Sequence, residues 1–127
     1  MKKEDLRIGN LVYDSVRNKE VKIQLKHFRE LAISEKVFFE RYKAIELTEE
    51  KLLSFGFEDT GVYYTLHIDI DFKLLLIPAY GFYPQIDKAD DSGWQSISLN
   101  KIDFVHELQN LHYSLKNEEL PKKKKKS

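Results

Sequence analysis

The longest unbroken alternation of apolar and polar side chains in this 127-residue chain runs from Val62 to Phe72. Val62, Tyr64, Leu66, Ile68, Ile70 and Phe72 fall on one side, and Tyr63, Thr65, His67, Asp69 and Asp71 on the other, the period of a strand with one buried face. The apolar run "LLLIP" follows without alternation. A single strand of that combined length would far exceed the usual span of about 5 or 6 residues. The chain is therefore expected to turn or bulge near Asp69 to Asp71 and return, with Pro78 ending the return strand.

Elsewhere the same reasoning yields shorter elements. "NLVYD" and "EVKIQLK" read as two strands joined through the intervening loop, a hairpin entered from Gly9-Asn10, with Val21, Ile23 and Leu25 alternating with Lys22, Gln24 and Lys26. In "KHFRELAISEKVFFERYKAIE", Phe28, Leu31 and Ala32 suit a helical turn, while "KVFFERY" fits either a short helix or a strand, so the segment stays ambiguous. "LTEEKLLSFGF" reads as a short helix: Thr48 caps it, Glu49 and Glu50 complement its N-terminus, and Gly56 sits where a left-handed C-cap belongs. "AYGFYPQIDKADDSGW" reads as an aromatic turn followed by an exposed acidic loop, and "QSISL" as a strand. Phe104, Leu108, Leu111 and Leu115 form the stripe of an amphipathic helix, with Asp103 as its N-cap.

These elements predict an α+β fold. A curved antiparallel β-sheet built from hairpins, SH3-like in its N-terminal part, is packed with a short central helix and a C-terminal amphipathic helix. Residues 1–120 are expected to form a single domain, and 121–127 a disordered lysine-rich tail.

Composition narrows the function classes. Apolar residues make up 42% and aromatics 13%, which favours folding over disorder. The absence of cysteine excludes disulfides, thiolate nucleophiles and iron–sulfur clusters. No apolar run reaches the roughly 18 residues of a membrane span, so a cytoplasmic protein without a membrane partner is expected. Residues 1–121 carry 16 basic against 21 acidic side chains, a charge of −5, and Lys122, Lys123, Lys124, Lys125 and Lys126 bring the total to zero. A polyanion would be drawn only to the tail or to a local patch.

Three motifs invite chemistry. His67, Asp69 and Asp71 recur at every second residue, as metal ligands on a strand would. The outer two would lie about 13 Å apart, too far to share one ion, and a turn gives the aspartates simpler work on backbone amides. "HELQN" misses the zinc-protease pattern because Asn110 stands where the second histidine belongs. "DKADDSG" lacks the carboxylate spacing and the glycine of a calcium loop. No catalytic residue, metal site or cofactor is assigned. An enzymatic reading would rest on His67, Asp69 and Asp71 facing a cleft.

Two features suit binding. Tyr80, Phe82 and Tyr83, near Trp94, place aromatics in an expected loop, where they would anchor a partner surface; the competing reading is that they close the open end of the core. Lys122 to Lys126 suit either an electrostatic tether to nucleic acid or another anionic surface, or a solubilising end.

"LRIGNLVY", "YKAIELTEEKLLSFGF" and "IDFVHELQNLHYSLKNEEL", taken as a set, resemble a family of short uncharacterised proteins common in gut anaerobes and their phages and mobile elements. That family has the pattern "LRIGN", "IPLTEEWLLKFGF", "YVHQLQNLYFALTGEEL". The matching segments cover about a third of the chain in the same order. Glu46 replaces the common proline, Lys51 the tryptophan, and "SLKNEEL" loses the glycine that would end the last helix. The resemblance implies an accessory protein of phage or mobile-element origin and carries no catalytic residues. With the acidic body, it leads to the expectation of a non-enzymatic protein that binds a macromolecular partner, most simply a basic protein, with a nucleic-acid-associated protein as the alternative.

Overall fold

The computed structural model describes residues 1–121. The fold is α+β, with two antiparallel sheets and four α-helices, and it divides into two compact units.

The first unit comprises Met1–Glu46 and Phe104–Glu119. Strands β1 (Leu11–Asp14), β2 (Lys19–Lys22) and β3 (Tyr42–Lys43) form an open sheet of order β2-β1-β3. The expected hairpin is present, with Val12 opposite Val21 and Asp14 opposite Lys19. The second strand ends earlier than its alternation suggested, and Leu25, expected on the strand's apolar face, is 60% exposed at the start of a helix. The cause is local: the Gln24 N–H donates to Nδ1 of His27 at 2.8 Å, which starts α1 (Leu25–Ile33).

The ambiguous segment holds two helices. Ser34 ends α1 and caps α2 (Glu35–Arg41), its Oγ accepting from the Val37 N–H at 3.3 Å. Phe38 and Tyr42 join Val12, Ile23 and Leu31 in the unit's core.

The last helix, α4 (Val105–Lys116), starts one residue later than expected, and Asp103 is not its cap. Phe104 stays extended because it bridges Glu46, while Oε1 of Glu107 accepts the Phe104 N–H at 3.0 Å. The buried stripe also differs from the expected leucines. Val105, His106, Leu108, Gln109 and His112 are buried, whereas Leu111 and Leu115 are only half-buried. Two of the three polar side chains find partners, Oε1 of Gln109 accepting the Leu11 N–H at 2.8 Å and Nδ1 of His112 bonding the Glu118 carbonyl at 3.0 Å, while Nδ1 of His106 has none among the described residues.

The second unit comprises, among the described residues, Leu47–Asp103 with Leu120 and Pro121. It contains α3 (Glu49–Ser54) and strands β4 (Glu58–Asp59), β5 (Tyr64–Asp69), β6 (Phe72–Pro78), β7 (Phe82–Asp90) and β8 (Gly93–Ser98), paired in that order. Thr48 Oγ1 caps α3 by accepting the Lys51 N–H at 3.2 Å, and Gly56 follows the helix with φ +93°. The long alternation turns at Ile70 and Asp71 as expected, with a bulge between His67 and Asp69.

Cross-strand register assigns the two faces. Tyr64, Leu76 and Pro84 form one row and Leu66, Leu74, Ile86 and Ile97 the next, giving an apolar face. The opposite face carries His67, Lys73, Asp87 and Ser96 in one row across four strands.

The expected acidic loop is a strand. Residues 82–90 form β7, and only Asp91 and Ser92 remain at the tip of its hairpin with β8. Pro84 has no N–H to give to the ladder. It is tolerated because β8 ends at Ser98: the Leu99 N–H still donates to the Pro84 carbonyl at 2.9 Å, and the bond that Pro84 cannot return is the first beyond the strand.

Candidate functional site

The four aromatics singled out in the sequence are not one cluster. Phe82 is buried in the core of its unit, in edge contact with Tyr64, so for this residue the core reading is the correct one. Tyr80 is fully exposed in the turn before β7, and Tyr83 is 43% exposed beside Ile77. Trp94 pairs with Ala89, six residues along β7 from Tyr83, which places it about 20 Å away at the rise of a strand. Treating residues 84–93 as a loop had folded this distance away.

Trp94 instead lies at the end of the sheet that carries several carboxylates, on the same face as Asp87. At its end of the sheet are Asp69 at the end of β5, Asp71 in the β5–β6 turn, Asp87 and Asp90 on β7, and Asp91 in the hairpin turn. The Ala89 N–H donates to the Asp71 carbonyl at 2.9 Å, which ties the two turns together. Lys73 holds its ammonium 4.7 Å from the centre of the Trp94 ring, a cation–π contact that orients the indole. Asp87 accepts from Ser96 Oγ at 2.6 Å and Gln85 Nε2 at 2.9 Å. Asp90 accepts from Ser92 Oγ at 2.6 Å, the Ser92 N–H at 2.8 Å and Gln95 Nε2 at 2.7 Å. The bonds from the Ser92 hydroxyl and amide hold the Asp90 carboxyl below the usual carboxylate range. Asp87 and Asp90 are thus held in place.

Strand β8 lies beside them at the edge of the sheet. All six of its residues, "GWQSIS", are exposed, none is charged, and its outer side has no partner strand among the described residues. Trp94 is 52% exposed on one face and Ile97 61% on the other. Because Leu99 turns its N–H toward β7, the alternation of an antiparallel ladder turns the N–H and C=O of Trp94, Ser96 and Ser98 outward. Proteins usually blunt such an edge with lysine, proline or a bulge, and β8 has none of these.

The remaining candidates do not converge. His67, Asp69 and Asp71 are all exposed, and the bulge sets Asp69 opposite Phe72 while His67 faces Lys73. Oδ1 of Asp69 accepts the Ile70 N–H at 2.8 Å, the turn role its position allows. No group of three histidine, aspartate or glutamate residues is gathered for a metal among the described residues. "HELQN" is structural, since Gln109 and Asn110 bind the N-terminal segment. Lys122 to Lys126 lie outside the described residues. Among the described residues, no helix is long and apolar enough to cross a membrane.

Comparison with protein-family models, curated proteins and solved structures finds no match for this chain.

Proposed function

We propose that this is a non-enzymatic accessory protein, working in the cytoplasm, that captures an extended, basic segment of a partner protein by strand addition to β8. In this mode the outward groups of Trp94, Ser96 and Ser98 supply main-chain hydrogen bonds, and pockets for alternate side chains give specificity. Trp94 is the anchor, as a half-exposed, oriented indole commonly is in an interface.

The observation that carries this reading is an uncharged, unblunted edge strand bordered by fixed carboxylates. Charge selects the partner: residues 47–103 contain 4 basic and 10 acidic side chains, so a lysine- or arginine-rich strand is drawn in and an acidic one is repelled.

The test is amide chemical-shift mapping with short strand-forming peptides that alternate valine with lysine or with glutamate. Lysine peptides should perturb Gly93 to Ser98 and the Trp94 indole, and Ser96→Pro should abolish this by removing an outward N–H without breaking the β7–β8 ladder. Perturbation by the glutamate peptides to the same degree, or none at β8, would sink the reading.

A further inference from the structure

In the first unit, the β1–β2 hairpin, the first turn of α1 and the α2–β3 junction surround a cavity of about 320 Å³. This is at the small end of the range for small-molecule sites. Its lining is polar, Val21 and the ring of Tyr42 being the apolar contributions.

The charges around it are unequal. Asp14 and Arg41 neutralise each other through two 3.0 Å hydrogen bonds, Nε to Oδ1 and Nη2 to Oδ2. Glu30 accepts from the Tyr42 hydroxyl at 2.8 Å. Glu20 and Glu30 then face Arg17, Lys19, Lys22 and Lys26, four exposed cations whose side chains form no ion pair among the described residues. The residues of this unit sum to 12 basic and 11 acidic side chains, so the cations are concentrated here while the acidic excess lies in residues 47–103.

A histidine also lines the cavity. This residue, His27, is only 4% exposed. Its Nδ1 accepts the Gln24 N–H, so the neutral ring carries its proton on Nε2, which has no hydrogen-bond partner among the described residues. The adjoining first turn of α1 contains no acidic residue, leaving the positive end of the helix dipole uncompensated. Burial lowers the His27 pKa against a smaller opposing pull from Glu30.

We infer that this cavity binds a small phosphorylated polyanion, with Arg17, Lys19, Lys22 and Lys26 neutralising its charge and Nε2–H of His27 donating to a phosphate oxygen. The near absence of apolar lining argues against a ligand held by a nucleobase, and the small volume favours a free polyphosphate group over a polymer. This site is independent of β8.

Inorganic triphosphate is the probe, titrated into the full chain at near-physiological salt with amide and histidine side-chain resonances observed. Saturable shifts at Lys22, Lys26 and the His27 ring are expected, with a dissociation constant below about 100 μM. Lys22→Gln with Lys26→Gln, both exposed, should leave the fold intact and weaken binding about tenfold. Replacing Lys122 to Lys126 with serine should leave binding in place. Shifts lost with the tail, an unchanged constant in the Lys22/Lys26 variant, or equal binding of sulfate would overturn the proposal. So would a six-nucleotide single strand that binds the cavity more tightly than triphosphate.

Discussion

Asn10 and Asn110, 100 residues apart in the chain, are joined by a 2.8 Å hydrogen bond from Nδ2 to Oδ1. Asn10 is fully buried, its own Oδ1 accepting the Arg7 N–H at 2.6 Å. Asn110 Oδ1 also accepts from Arg7 Nε at 3.2 Å, and its Nδ2 donates to the Asp5 carbonyl at 2.6 Å. The Arg7 guanidinium lies 4.3 Å from the centre of the Tyr113 ring and pairs with Glu119. "LRIGN" and "HELQNLHYSLKNEEL", two of the segments that carry the family resemblance, are therefore the two halves of one clamp. Asn110→Leu strands the buried Asn10 donor and should cost about 2 kcal/mol. A shift of the urea midpoint by less than a quarter of that would show that the clamp contributes little.

Gly9 is required by the same clamp. Its φ is +96°, and a Cβ built there would stand 3.0 Å from Oε1 of Glu119. Gly61, at φ +92° with open space around it, separates the two causes. Gly9→Ala should cost about 2 kcal/mol and Gly61→Ala about 1 kcal/mol, compared by thermal or urea unfolding. Equal costs would mean that Glu119 gives way freely.

Asn117 ends α4 in the left-handed conformation at φ 57°. Asparagine tolerates this region better than other non-glycine residues. Asn117→Gly should raise stability by up to about 1 kcal/mol, and Asn117→Ala should lower it by a similar amount, both read as changes in melting temperature.

Acid should weaken the first unit in two stages. His106, His112 and His27 have pKa values lowered mainly by burial. The unfolded chain thus binds protons more readily, so their contribution is whole above about pH 6.5 and declines as pH falls below it. Asp14 is held down to about 2, chiefly by its hydrogen bonds from Arg41. Its contribution is whole above the unfolded value near 4, and is lost as pH falls toward 2. Hydrogen exchange should show α1 and α4 losing protection from about pH 6 downward, and Asp14→Asn should remove the later stage only. Protection unchanged from pH 7 to 5 would contradict the first stage.

The sequence reading was most accurate where a local cause suffices. Thr48 caps α3 and Gly56 follows it because both act within one turn of the helix. The turn at Ile70 and Asp71 was legible from strand length alone. Errors arose where a distant partner decided the outcome. Pro84 stays in β7 because of where β8 ends, and the polar stripe of α4 is buried because Leu11 and Glu118 satisfy Gln109 and His112. Edge exposure on β8 has a faint sequence signal, the run "GWQSIS" without a charge, but its meaning depends on which strand is last in the sheet.

By itself the sequence determined the α+β class, the hairpin at Gly9-Asn10, the central helix, and the imbalance between an acidic body and a basic tail. These follow from periodicity, capping and composition, which act over a few residues or none. Tertiary structure alone separated Tyr83 from Trp94, put Asp87 on the face that carries the indole, left the outer side of β8 without a partner strand among the described residues, and set His27 in the lining of a cavity beside four cations. Each depends on residues far apart in the chain being placed by register and packing, and one-dimensional patterns carry no information about which strand lies beside which.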